Sequence, residues 1–109
     1  MVAYTVRISC PDVAVASAMR AWLVGGHAAE VCAAGALRAE VTVDADGGGR
    51  RIECRYLFAT REAFAAYERD HAPRLRADGL RRFPPTTGVR YERSVGEVAG
   101  IWPAPRSGA

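Results

Sequence analysis

Four short stretches of this sequence alternate apolar and polar residues one by one, and that period of two constrains the chain more than any other feature. Val2, Tyr4, Val6, Ile8 and Cys10 alternate with Ala3, Thr5, Arg7 and Ser9. Leu37, Ala39, Val41 and Val43 alternate with Arg38, Glu40 and Thr42. Ile52, Cys54, Tyr56 and Phe58 alternate with Arg51, Glu53, Arg55 and Leu57, and from Val89 to Val95 the residues Val89, Tyr91 and Val95 stand against Arg90, Glu92 and Ser94. Successive side chains of a strand point to opposite faces, so each stretch predicts a strand with one oily and one ionic side.

Between the first and second strands, Pro11 ends the ladder and Asp12 is placed to cap a helix whose apolar stripe is Val15, Met19, Trp22 and Leu23. Gly25-Gly26 interrupts it before a shorter helix, His27 to Ala34, which Gly35 ends with a left-handed cap. Asp46-Gly47-Gly48-Gly49 turns the second strand into the third. Thr60 caps a further helix on which Phe64, Tyr67, His71 and Leu75 form one stripe, with Pro73 kinking or restarting it at Ala72. Gly79 and Pro84-Pro85 then break the helical segment. The order is βαββαβ, which predicts an α+β, ferredoxin-like domain over residues 1–98: a four-stranded antiparallel sheet with helices on one face. Residues 99–109 read as a tail, frayed from Pro103 onward, with Trp102 seeking burial on its own domain or on a partner.

The chain has 109 residues, the size of one domain, and no apolar run long enough to cross a bilayer. No secretory signal precedes the first strand, so the expected location is cytoplasmic. All 15 basic residues are Arg; with no Lys, phosphate-loop and Schiff-base chemistry on a lysine are excluded. The 12 acidic residues are interspersed with the Arg, giving a formal charge of only +3, which is a mixed surface and not a nucleic-acid footprint. An RNA-recognition module shares the βαββαβ order but needs stacking aromatics on its open sheet face, where this third strand offers Glu53 and Arg55. Cys10, Cys32 and Cys54 form no C-x-x-C pair and read as small buried hydrophobes. No zinc-ligand spacing and no nucleophile elbow is present, so neither a metal nor any other cofactor is expected.

The Trp22-Leu23 pair with His27 and Gly35, and above all the run His71-Ala72-Pro73-Arg74-Leu75-Arg76 with Gly79-Leu80 and Phe83-Pro84, resembles a small bacterial domain family of unknown function. That family is similar to the dimeric alpha-beta barrel superfamily, which includes cofactor-free antibiotic-biosynthesis monooxygenases, polyketide cyclases, muconolactone isomerase and small YciI-like proteins. The resemblance spans roughly residues 3 to 98 and implies a homodimer that pairs sheet to sheet as a dimeric alpha-beta barrel. It brings no reaction with it.

Two sets of residues are candidates for function. Arg7, Arg38, Arg55 and Arg90 crowd the ionic sheet face together with Arg51 against Glu40, Glu53 and Glu92, so a dimer interior there would leave two Arg to be matched by a small organic anion. His71 and His27 are the only histidines and the natural proton carriers, although a structural role at the kink suits His71 and a helix start suits His27. The leading expectation is therefore a homodimeric binding or interaction protein holding a small anion. The alternative is a cofactor-free enzyme of monooxygenase, cyclase or isomerase type, acting on a small carbonyl or aromatic metabolite.

Overall fold

In the computed structural model, which describes residues 1–104, the period-two stretches form four strands: β1 Val2–Ser9, β2 Arg38–Val43, β3 Arg51–Phe58 and β4 Arg90–Glu97. They make one antiparallel sheet in the order β2-β3-β1-β4. The register sets Tyr4 between Tyr56 and Val95, and Thr5 between Arg55 and Ser94, so the parity read from each strand separately is shared by the whole sheet.

Four helices cover one face: α1 Val13–Trp22, α2 Ala28–Ala33, α3 Arg61–Asp70 and α4 Ala72–Arg82. Asp12 accepts the Val15 N–H at 2.9 Å and Thr60 accepts the Ala63 N–H at 3.0 Å, the two expected N-caps. The glycine pair interrupts the first helical segment at Gly26 (φ 167°, ψ −31°), but the chain re-enters helix at once through a wide π turn, Leu23–His27. The second helical segment divides at His71 (φ −127°, ψ −39°), and Pro73 lies in the first turn of α4, where its missing N–H costs nothing.

The core is the layer between helices and sheet. Phe58, Met19, Leu23, Ile52, Leu75, Val31 and Cys54 are fully buried, drawn from both layers. Burying a side chain of this kind stabilises by about 1.5–3 kcal/mol, which makes this layer the main support of the fold. Trp102 is not buried on its own chain, being 84% exposed, and the end of the expected tail, residues 105–109, lies outside the described residues. Among the described residues no helix is long and apolar enough to cross a membrane.

Candidate functional site

The strand parity places Arg7, Arg38, Arg55 and Arg90 on the sheet face turned away from the helices, and all four are exposed. Arg7 and Arg55 both reach Glu53, at 3.4 and 3.3 Å, and Arg38 meets Glu40 at 3.0 Å. Arg51, Arg90 and Glu92 have no ion-pair partner among the described residues and line an open groove on this face with Arg7 and Glu53. Thr5, at the centre of the sheet, is the one buried polar residue of the described chain, and a second shallow groove runs over it between Arg38, Glu40, Arg55 and Ser94.

A more enclosed space of about 170 Å³ lies in the core layer, between α4 and the sheet. Tyr4, Val6, Ile8, Cys54 and Tyr56 form its floor; Leu75, Arg76, Gly79 and Leu80 of α4 form its roof. Trp22, Leu23 and His27 from the first helical segment and Tyr91 and Arg93 of β4 also line it. Leu80 and Arg93 are the lining residues that remain exposed, and they mark its mouth. The space exists because α4 is a separate helix: the break at His71 re-aims the chain, and Gly79 leaves room for the Trp22 ring, which a β-carbon there would meet at 3.1 Å.

Polar atoms in this lining are short of partners. Among the described residues, the buried side-chain nitrogens and oxygens with no hydrogen-bond partner are His27 Nδ1, Arg76 Nε and the Tyr91 hydroxyl, and all three belong to residues lining this one cavity. Buried polar groups are otherwise nearly always satisfied, and each orphan costs about 1–3 kcal/mol. The π turn presents the His27 ring against Trp22, stacked at 4.1 Å and 22°. Burial lowers the His27 pKa from 6.5, a shift that Glu30 and Asp78 only partly oppose, so the imidazole is neutral at pH 7. Arg76 is held from one side: its Nη2 donates to Glu68 at 2.8 and 3.1 Å and to the Tyr4 hydroxyl at 3.2 Å. Burial works against its charge, yet those bonds keep its pKa above the ordinary value. Burial raises the Tyr91 pKa, with the nearby Arg93 opposing, and pushes that of Tyr67 up to about 12 and that of Cys54 to about 11. The phenols and the thiol are therefore uncharged at neutral pH.

The two histidines are not brought together. His27 lines the cavity; His71 sits at the joint between α3 and α4, half-buried, its N–H bonded to the Tyr67 carbonyl at 2.9 Å, and lines none of the described cavities. The structure therefore separates the two candidate proton carriers: His71 lies at the joint where the chain turns into α4, and His27 lies at the cavity beneath that helix. Sequence reasoning also missed Arg76, Tyr91 and Arg93. Arg93 left a signal, because it stands where the alternation Val89, Tyr91, Val95 calls for an apolar residue. Among the described residues no three His, Cys, Asp or Glu side chains come together as a metal ion would require.

No protein-family model matches the chain, and no curated protein sequence matches it. Solved structures do. A dimeric ferredoxin-like protein from an uncultured marine organism superposes with a TM-score of 0.72 at 10% identity, covering 93% of this chain and 96% of its own. SnoaB, a cofactor-independent oxygenase from Streptomyces nogalater, gives 0.67 at 14% identity over 94% and 96% of the two chains. A monooxygenase from Streptomyces coelicolor, solved in complex with nanaomycin D, gives 0.63 at 14% identity over 92% and 90%. At these identities the likeness shows the fold: this is a ferredoxin-like α+β domain.

Proposed function

We propose that each chain takes a small, flat, oxygenated ring compound into the cavity beneath α4 and that His27 removes a proton from it, the first step of a cofactor-free conversion. The observation that carries this reading is that three residues lining one cavity, His27, Arg76 and Tyr91, each carry a buried polar atom without a partner among the described residues. A ligand bearing hydroxyl or carbonyl oxygens supplies the missing partners, and the cost of leaving them unpaired becomes binding free energy. The volume, near the ~150 Å³ that accommodates a benzene-sized molecule, suits one ring, and larger compounds extend through the mouth.

The chemistry follows from the protonation states. Neutral His27 can accept a proton from a phenol or from carbon next to a carbonyl, while Arg76 and Tyr91 donate to the oxygen on which negative charge develops. The resulting phenolate or enolate is electron-rich enough to be oxidised by dioxygen without a further group, and the fold likeness to a cofactor-independent oxygenase favours that outcome over a binding role alone. The likeness to a dimeric ferredoxin-like protein further supports pairing of two copies.

The test uses Trp22 as reporter. In a Trp102→Phe background it is the only tryptophan, so quenching of its fluorescence reads occupancy of the cavity. Hydroxynaphthalenes and small quinols should quench it, with oxygen uptake by an electrode; His27→Ala should abolish uptake and retain quenching. Absence of quenching across such a panel overturns the reading. A second reading, an organic anion bound on the open face of a homodimer, is favoured by Arg51 and Arg90, which lack carboxylate partners beside the groove they line. It requires that carboxylic acids raise the melting temperature and that Arg55→Ala or Arg90→Ala remove the rise.

A further inference from the structure

The helix-facing side of the sheet is almost free of charge. By register it carries Val2, Tyr4, Val6 and Ile8 of β1, with β2 and β3 contributing only apolar residues, Cys54 and Tyr56. On β4 it carries Tyr91, Arg93, Val95 and Glu97. Glu97 is matched, meeting Arg61 of α3 at 3.3 Å. Arg93 is not: no carboxylate lies within 4 Å of it among the described residues, and its guanidinium rests 5.3 Å from the centre of the Tyr91 ring. Arg93 is exposed on the edge strand β4, with its guanidinium against an aromatic ring at the mouth of the cavity.

Charge counting across the lining gives the same answer. Arg76 is paired with Glu68 at 2.8 Å, burial raises the pKa of Tyr56, Tyr67, Tyr91 and Cys54 and so keeps them uncharged, and burial lowers that of His27 and keeps it neutral. One positive charge, that of Arg93, remains. We infer that the compound bound in the cavity is a monoanion whose carboxylate pairs with Arg93 while its ring lies beneath α4 and its hydroxyl or carbonyl oxygen faces His27. The inference rests on the cavity reading above and adds the substrate class: aromatic hydroxy- or keto-carboxylates in place of neutral phenols. Arg93 is then the residue that determines specificity, with no part in the proton transfer.

A matched pair of one-ring probes separates the two ideas. Salicylate and salicylamide share ring and hydroxyl and differ in charge at about pH 7. Calorimetric titration of the full chain should give roughly tenfold tighter binding of salicylate, a preference that shrinks with added salt. Arg93→Gln should abolish the preference and leave salicylamide affinity unchanged; Arg20→Gln, on the exposed side of α1 and away from both grooves and the cavity, should alter neither. Equal affinity for the two probes, or a preference surviving in Arg93→Gln, overturns the charge assignment and leaves the cavity reading intact. Failure of both probes to bind or to quench Trp22 overturns the assignment together with the cavity reading.

Discussion

The two faces of the sheet carry arginine in opposite ways. On the open face the guanidiniums are many, exposed and interleaved with glutamates, and a groove there is wide and shallow. On the helix-facing side the sheet carries a single arginine, beside three buried polar atoms that nothing satisfies. The contrast teaches that abundance of charge is a poor locator of chemistry. Water and cross-strand neighbours discharge the first face at little energetic consequence, whereas the second holds its few polar groups beside a cavity, where leaving them unpaired is costly.

Substitution separates the two faces most sharply at their centres. Phe58→Ala, which empties a fully buried position, should cost about 3–5 kcal/mol in urea denaturation, while Arg55→Ala, three strand positions away and on the opposite face, should cost less than about 0.5 kcal/mol. An equal cost at Arg55 would break the comparison and mean that the open face is sealed by a second copy. Next in size, Glu68→Gln removes the partner of Arg76; because both side chains are about a third exposed, the loss should be about 1 kcal/mol, read in the same denaturation experiment. Arg38→Ala or Glu40→Ala, which break a more exposed pair, should move the midpoint hardly at all.

A smaller effect is expected from acid. With a folded-state pKa below 6.5, His27 binds its proton more readily in the unfolded chain, so its neutral form adds nothing above that pH and protonation favours unfolding below it. Stability should therefore decline as pH falls through 6.5 toward the depressed folded value, and melting curves of His27→Phe should lose that part of the slope. His71→Phe should keep it. Smallest of all, Gly79→Ala should leave the melting temperature within a few degrees, since helix propensity gained is set against a 3.1 Å approach to the Trp22 ring. It should still shift the Trp22 emission, because the half-buried ring is what gives way.

Strand parity, both N-caps, the glycine interruption and the hinge before Pro73 were all legible in the sequence, because each is a local preference that the tertiary structure has no reason to override. The site was legible only in part. His27 could be named as a candidate, but its distinction from His71 depends on where α4 lies over the sheet, which no spacing encodes. Arg76 looks in sequence like one more arginine on a charged helix; only the pairing of its Nη2 with Glu68 and Tyr4 reveals the nitrogen left over. Arg93 was the visible exception, an ionic residue at an apolar position, and it was read past because β4 otherwise fits its pattern.

The mouth between Leu80 and Arg93 fixes what a chemist could attach. In the binding mode proposed above, the ring edge away from Trp22 faces the mouth, so a spacer placed there should pass out over β4 without disturbing the seat. The same molecule substituted at the inner edge would collide with the Trp22–His27 stack. Affinity resins or fluorescent conjugates for this protein would succeed or fail on that choice of attachment point.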